Sequence, residues 1–219
     1  RYVNSLILEN KIIQATNIVK MNRLNKNTNF FEAYLLLILD NIKKSKFALA
    51  KKNLDIALDL AGKDRFNLAI LESLKQYIFL FKEDKIYSEK KNFGKLSTIS
   101  ETFQSCYLGK KNTETLFLNL IRDNQADYTR YAYFYLSYLL ENNQNNKAKE
   151  IVKDFNYINS TLLLSQAKSW IEEGSTQNFK KIFSCKNHND LIAEFLFLIA
   201  NLYSSENNFE KSNFYINLS

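Results

Sequence analysis

Proline is absent from this chain of 219 residues, and glycine occurs only four times. Both residues punctuate the tight turns of β-rich folds, so turns of that kind must be rare here. They are also the residues that most disfavour a helix interior. The chain is therefore expected to be helical, with short polar links between its helices.

Hydrophobic residues make up 46% of the chain, enough to bury a substantial core. They recur at helical spacing along nearly the whole sequence, in segments that only a few polar residues separate, which makes neighbouring helices antiparallel. The pattern predicts an all-α fold with helices at 2–10, 11–22, 28–44, 46–60, 65–82, 95–108, 112–123, 126–142, 146–154, 159–173, 176–184, 189–205 and 208–219.

Four of the helix pairs share an arrangement of bulky and small residues. The clearest pair has Tyr34, Leu37, Ile38 and Asn41, followed by Phe47, Ala50, Leu54 and Ala57. The last pair has Leu196, Ile199, Ala200 and Tyr203, followed by Phe209, Ser212, Ile216 and Ser219. Two weaker pairs have Tyr135, Leu136 and Leu139 with Ala148, Val152 and Phe155, and Tyr2, Val3 and Leu6 with Ile12, Ala15 and Val19.

This arrangement resembles the tetratricopeptide (TPR) repeat in a degenerate bacterial form, a helix-turn-helix of ~34 residues with small residues where its helices cross. The resemblance implies an antiparallel helix-pair solenoid over residues 1–219 that coils into a right-handed superhelix. The pattern fails between 84 and 124, which leaves open a division into arrays 1–83 and 125–219. Because the chain begins at Arg1 and ends inside a predicted helix, we expect a fragment of a longer protein.

In TPR proteins the concave face of the superhelix holds the ligand. The positions of that face carry over to Leu35, Leu36 and Leu39, to Arg130, Tyr133, Phe134 and Ser137, and to Phe197, Leu198 and Asn201. The partner-binding candidates that the resemblance implies are Arg130, Tyr133, Phe134, Ser137, Phe197 and Asn201. This mainly apolar surface suits a peptide or a helix of a partner protein, and its aromatic side chains are candidate hot spots.

A second set of aromatic residues follows one stripe of the same helix. Tyr128, Tyr131, Tyr135 and Tyr138 step by three, four and three positions, so they lie on one helix face. Such a stripe usually packs against neighbouring helices, and core packing is favoured here over ligand contact.

Residues that could carry catalysis or bind a metal are sparse. His188 is the only histidine, and the adjacent Asn189 and Asp190 are expected to cap the following helix. Cys106 and Cys185 lie far apart and form no CxxC pair, which favours two half-buried thiols over a disulfide or a zinc site. No nucleotide-binding, metalloprotease or nucleophile-elbow motif occurs, so we expect no enzyme, no cofactor and no metal.

The net charge of +7 raises the question of nucleic-acid binding. Only five of the thirty basic residues are arginines, and the lysines are scattered, which favours a solvated surface over a nucleic-acid interface. No apolar run approaches the ~20 residues that cross a bilayer, so a soluble cytoplasmic or periplasmic protein is expected.

The leading hypothesis is a bacterial scaffold or adaptor that binds a partner protein. Association with a second copy of the chain stays open. The alternatives are a basic helical protein that binds nucleic acid and an accessory helical domain of a larger enzyme.

Overall fold

The computed structural model describes residues 2–24, 30–89, 91–122, 129–154 and 162–219. These residues form thirteen α-helices and no strand, which confirms the all-α prediction for the described part of the chain. The helices are α1 (Tyr2–Leu8), α2 (Ile12–Leu24), α3 (Phe31–Lys43), α4 (Phe47–Ala61), α5 (Arg65–Glu83), α6 (Lys95–Leu108), α7 (Thr113–Ile121), α8 (Thr129–Glu141), α9 (Asn145–Asp154), α10 (Leu162–Glu172), α11 (Phe179–Ile182), α12 (His188–Ser205) and α13 (Phe209–Leu218).

The helix predicted at 176–184 differs most from the structure. Its residues form a 3₁₀ turn (Thr176–Asn178), the single turn of α11, and an extended residue at Phe183. Tyr128 of the predicted tyrosine stripe and the predicted repeat position Phe155 lie outside the described residues.

The four helix pairs identified from the sequence share one turn geometry. In the pair α3–α4, Ser45 has a φ of 55°, its N–H donates to the Ile42 carbonyl, and the Lys46 N–H donates to the Asn41 carbonyl. This is the Schellman pattern of a helix C-terminus. It recurs around Asn10, Asn143 and Asn207, with φ values of 58°, 59° and 59°. In every pair the second helix begins two residues later and carries a small residue in its first turn, Ala15, Ala50, Ala148 and Ser212.

The buried small residues explain how closely these helices approach. Ala50 and Ala57 are completely buried on α4, and α4 packs against both α3 and α5. Ala15 and Ala148 are completely buried in the two weaker pairs. A side chain of one carbon at these points leaves room for the facing helix, as the sequence pattern predicted.

The chain forms two compact units. Unit 1 contains residues 1–100 and 191–219, and unit 2 contains residues 101–190. The unit boundaries thus fall at 100/101 and 190/191, whereas the sequence pattern fails at 84–124.

In unit 1 the first and last helices are neighbours. Helix α1 packs against both α2 and α13, and the Asn217 side-chain amide donates to the Leu8 carbonyl at 3.4 Å. The core between α5 and α12 contains Tyr77 against Phe195, with ring centroids 5.7 Å apart.

In unit 2 an aromatic cluster forms the core. Phe103, which is 1% exposed, lies within 6.2 Å of the ring centroids of Phe117, Tyr131, Phe134 and Phe183. Helix α8 packs against α7, α9 and α10 around this cluster.

Candidate functional site

Three of the four predicted contact residues of α8 are buried in unit 2. Tyr133 stacks on Phe179 with ring centroids 5.0 Å apart, and its hydroxyl donates to the Phe179 carbonyl at 3.4 Å. Phe134 lies 4.0 Å from the Phe183 ring, and the Ser137 hydroxyl donates to the Phe183 carbonyl at 2.9 Å. The segment 179–183 of the chain itself therefore covers these three side chains, and a partner would have to displace it to reach them.

The other three predicted contact residues are less buried. Arg130 is half-buried, with its guanidinium 5.2 Å from the Phe134 ring centroid. On α12, Phe197 is half-buried and Asn201 is exposed. These two residues belong to unit 1, whereas the other four predicted contact residues belong to unit 2. Their role in partner binding stays a prediction.

The tyrosine stripe of α8 packs in the core, as predicted for Tyr131 and Tyr135. Both are buried, and Tyr135 stacks on Phe117 with centroids 5.7 Å apart. Burial raises the pKa of Tyr135 well above its ordinary value, so this phenol stays neutral. Tyr138 is half-buried beside the same Phe117 ring.

The two cysteines correct the sequence prediction. Cys106 at the end of α6 and Cys185 after α11 are both buried and form a disulfide, with Cα atoms 5.8 Å apart. That separation lies in the ordinary range for a disulfide. The prediction of two separate thiols was wrong because the two cysteines are 79 positions apart in the sequence, and no local pattern indicates that the fold brings them together.

The residues around His188 form a capping network, although not the predicted one. The Asn187 side chain accepts from the Asn189 N–H at 3.0 Å, so Asn187 provides the cap. Asp190 lies in the first turn and accepts from the Ser184 N–H and from the Asn187 side-chain amide. Burial raises the pKa of Asp190, although the hydrogen bonds from Ser184 and Asn187 act in the opposite direction. Among the described residues no group of three or more His, Cys, Asp or Glu side chains could hold a metal ion.

Unit 1 contains a cavity of about 190 Å³ that the sequence did not reveal. Helices α1, α3, α5, α12 and α13 all contribute to its wall. The lining residues are Asn4, Leu8, Phe31, Glu32, Asn67, Tyr203, Asn208, Glu210, Lys211, Phe214 and Tyr215. Phe31, Tyr203, Phe214 and Tyr215 are buried, whereas Glu210 and Lys211 are exposed and line the solvent side.

Two helix caps fix the polar side of this cavity. Asp64 accepts from the Phe66 and Asn67 N–H groups, both at 2.9 Å, at the start of α5. Asn208 accepts from the Lys211 N–H at 3.2 Å at the start of α13. Such caps satisfy N–H groups that the helix itself leaves free, so they hold Asn67 and Lys211 in place.

Tyr203 is the central aromatic side chain of the cavity. Its ring lies 4.6 Å from the Phe66 ring and stacks on Tyr215 at 5.4 Å. The Lys211 ammonium lies 5.0 Å from the ring centroid of Tyr203. Tyr203 is 3% exposed, and its hydroxyl has no hydrogen-bond partner among the described residues.

The negative charges around the cavity disfavour ionisation of the two tyrosine hydroxyls. Burial, followed by the charges of Asp64, Glu206 and Glu32, raises the pKa of Tyr203 to about 12. The pKa of Tyr215 rises well above its ordinary value, mainly through burial, with Tyr203, Glu32 and Asp64 contributing. Both phenols are therefore neutral near pH 7, and the negative charge comes from the carboxylates.

The comparisons with known proteins identify no relative. No helix in the described part of the chain is long and apolar enough to cross a membrane. No protein-family model, curated protein or solved structure matches the chain.

Proposed function

We propose that the chain is a TPR-like helical-repeat scaffold or adaptor that binds a partner protein, and that the surface of unit 1 around the cavity is its binding site. The repeated hairpin supports the TPR-like part of this proposal, because four pairs of helices share one turn and one pattern of small residues.

The observation that supports this binding site most directly is the cavity of unit 1. The exposed apolar side chains of the helices beside it add to that support. Helices α1 and α13, which pack against each other, expose Tyr2, Leu8, Phe209 and Ile216. Leu8 also lines the cavity, and Phe209 lies between the cavity residues Asn208 and Glu210 in sequence. Exposed apolar side chains on helices that border a concave site are typical of protein interaction surfaces.

The disulfide indicates the cellular compartment in which the chain would bind such a partner. Disulfides persist in oxidising compartments and are rare in the cytoplasm. Of the two compartments expected from the sequence, the bond between Cys106 and Cys185 favours the periplasm.

Peptide selection tests the binding site and requires no identified partner. Peptides selected from a random displayed library against the wild-type chain should bind the double variant Leu8→Ser, Phe209→Ser at least about tenfold more weakly, since each change removes an exposed apolar contact. The variant Leu162→Ser is the matched control, because Leu162 is 87% exposed and belongs to unit 2. Peptides that bind the double variant as tightly as wild type would refute the site.

A further inference from the structure

We propose that the unit 1 cavity binds an alkylammonium group, supplied by a lysine side chain of the partner or by a free amine of similar size. This inference rests on the proposed function when the group belongs to a partner protein, because it names the chemistry that the same site recognises.

The size of the cavity sets the scale of the group. At about 190 Å³ it is somewhat larger than an engineered cavity of ~150 Å³ that holds benzene. Six or so non-hydrogen atoms therefore fit, about the length of a lysine side chain.

The aromatic wall provides faces that attract a cation. Tyr203 and Tyr215 are stacked nearly parallel, with an interplanar angle of 12°, and Phe214 meets Tyr215 edge-on at 5.2 Å. A ring face carries partial negative charge and attracts an ammonium group within about 6 Å. The Lys211 ammonium, at 5.0 Å from the Tyr203 centroid, demonstrates this contact within the chain.

The carboxylates give the cavity its charge preference. Glu32 and Glu210 line it, against the single cation Lys211. Glu32 is half-buried, and no cation among the described residues pairs with it. A half-buried carboxylate has lost part of its hydration, so an incoming ammonium would gain a charge-assisted hydrogen bond there.

The side-chain amides offer the remaining polar contacts. Asn4 and Asn67 are half-buried in the cavity wall, and an amide oxygen accepts hydrogen bonds from an ammonium. Carboxylate, amide oxygen and ring face together match the three N–H donors and the alkyl stem of the proposed group.

Three probes of equal length separate charge from shape. We would titrate the isotope-labelled protein with n-pentylammonium, n-pentanol or pentanoate and follow the backbone amide signals of Asn67, Asn208 and Lys211 by NMR. The ammonium probe should bind at least tenfold more tightly than pentanoate and more tightly than pentanol. Equal affinities, or tighter binding of pentanoate, would overturn the proposal.

Two substitutions of opposite charge sharpen the result. Glu32→Gln should weaken n-pentylammonium binding at least tenfold, whereas Lys211→Met should strengthen it, because it removes a competing cation. The control Glu83→Gln alters a carboxylate of the same unit that does not line the cavity, and it should leave the affinity unchanged. An affinity that falls with Lys211→Met and rises with Glu32→Gln would identify an anion site instead. Thermal unfolding of each variant excludes a folding defect as the cause.

A final comparison distinguishes the two sources of the ammonium group. A blocked Ala-Lys-Ala peptide that binds more tightly than n-pentylammonium indicates a partner's lysine, whereas a peptide that does not bind while the amine does indicates a free amine. Both results uphold the ammonium site, and the second removes it from the proposed partner surface. Selected peptides that lack lysine, yet lose affinity for the Leu8→Ser, Phe209→Ser variant, would uphold the partner surface and refute a partner's lysine as the source of the ammonium group.

Discussion

The two aromatic clusters of the molecule contain the same types of side chain, phenylalanine and tyrosine, in different surroundings. In unit 2 the rings around Phe103 and Phe134 are covered by the segment 179–183, and the disulfide at Cys185 anchors the chain just after that segment. In unit 1 the rings around Tyr203 border a cavity whose outer wall is charged and exposed. An aromatic helix face therefore becomes part of a closed core or of a cavity wall according to whether a later segment covers it.

The largest effect should come from opening the closed cluster. Phe134→Ala removes a ring that is 1% exposed and contacts four other rings, so it should lower the free energy of unfolding by about 3–5 kcal/mol. Denaturant unfolding measures this loss. Phe209→Ala is the matched control, because Phe209 is 59% exposed, and it should change stability by less than about 0.5 kcal/mol. Similar losses for both variants would remove the distinction between the clusters.

The disulfide should contribute the next largest share of stability to unit 2. Replacing both Cys106 and Cys185 with alanine should cost about 2–4 kcal/mol, because the unfolded chain gains freedom when a long loop is opened. The unreduced wild-type protein should show no reactive thiol after denaturation, and two after reduction. Two reactive thiols in the unreduced denatured protein would contradict the bond.

The small residues of the repeated helix pairs should make the third-largest contribution to stability. Ala50→Leu should overpack the contact of α4 with its neighbours and cost about 1–3 kcal/mol, since Ala50 is completely buried. Ala48→Leu makes the same change two residues earlier, at an exposed position of α4, and should be nearly neutral. An unchanged melting curve for Ala50→Leu would refute the alignment of the repeated pairs.

The turns of the hairpins should show the smallest effect. Ser45 has a φ of 55°, a left-handed conformation that costs non-glycine residues about 1 kcal/mol. Ser45→Gly should therefore raise the free energy of unfolding by about 0.5–1 kcal/mol, whereas Ser45→Ala should not raise it. A destabilised Ser45→Gly would contradict the shared turn geometry.

The sequence predicted the features that depend on neighbours along the chain. Helical periodicity identified most of the helices, and the spacing of bulky and small residues aligned four hairpins, because both follow from contacts within about 20 residues. Ala50 and Ala148 were assigned correctly to buried crossings for this reason.

Contacts between residues far apart in the sequence could not be predicted from it. Nothing near Phe134 indicates that residues 45 or more positions later cover it, and nothing near Cys106 indicates Cys185. The cavity of unit 1 combines Asn4 and Glu32 with residues beyond 200. Only the aromatic position of Tyr203 in its repeat gave a local signal, and that signal predicted packing, not a cavity wall.

The most direct test of the account maps a selected peptide onto the chain. Amide chemical-shift changes on binding should be largest for residues of the unit 1 cavity, such as Asn67, Asn208 and Lys211, and small for the closed cluster of unit 2. Changes centred instead on Arg130, Tyr133 and Ser137 would show that segment 179–183 opens to admit the partner, and would contradict the assignment of the binding site to unit 1.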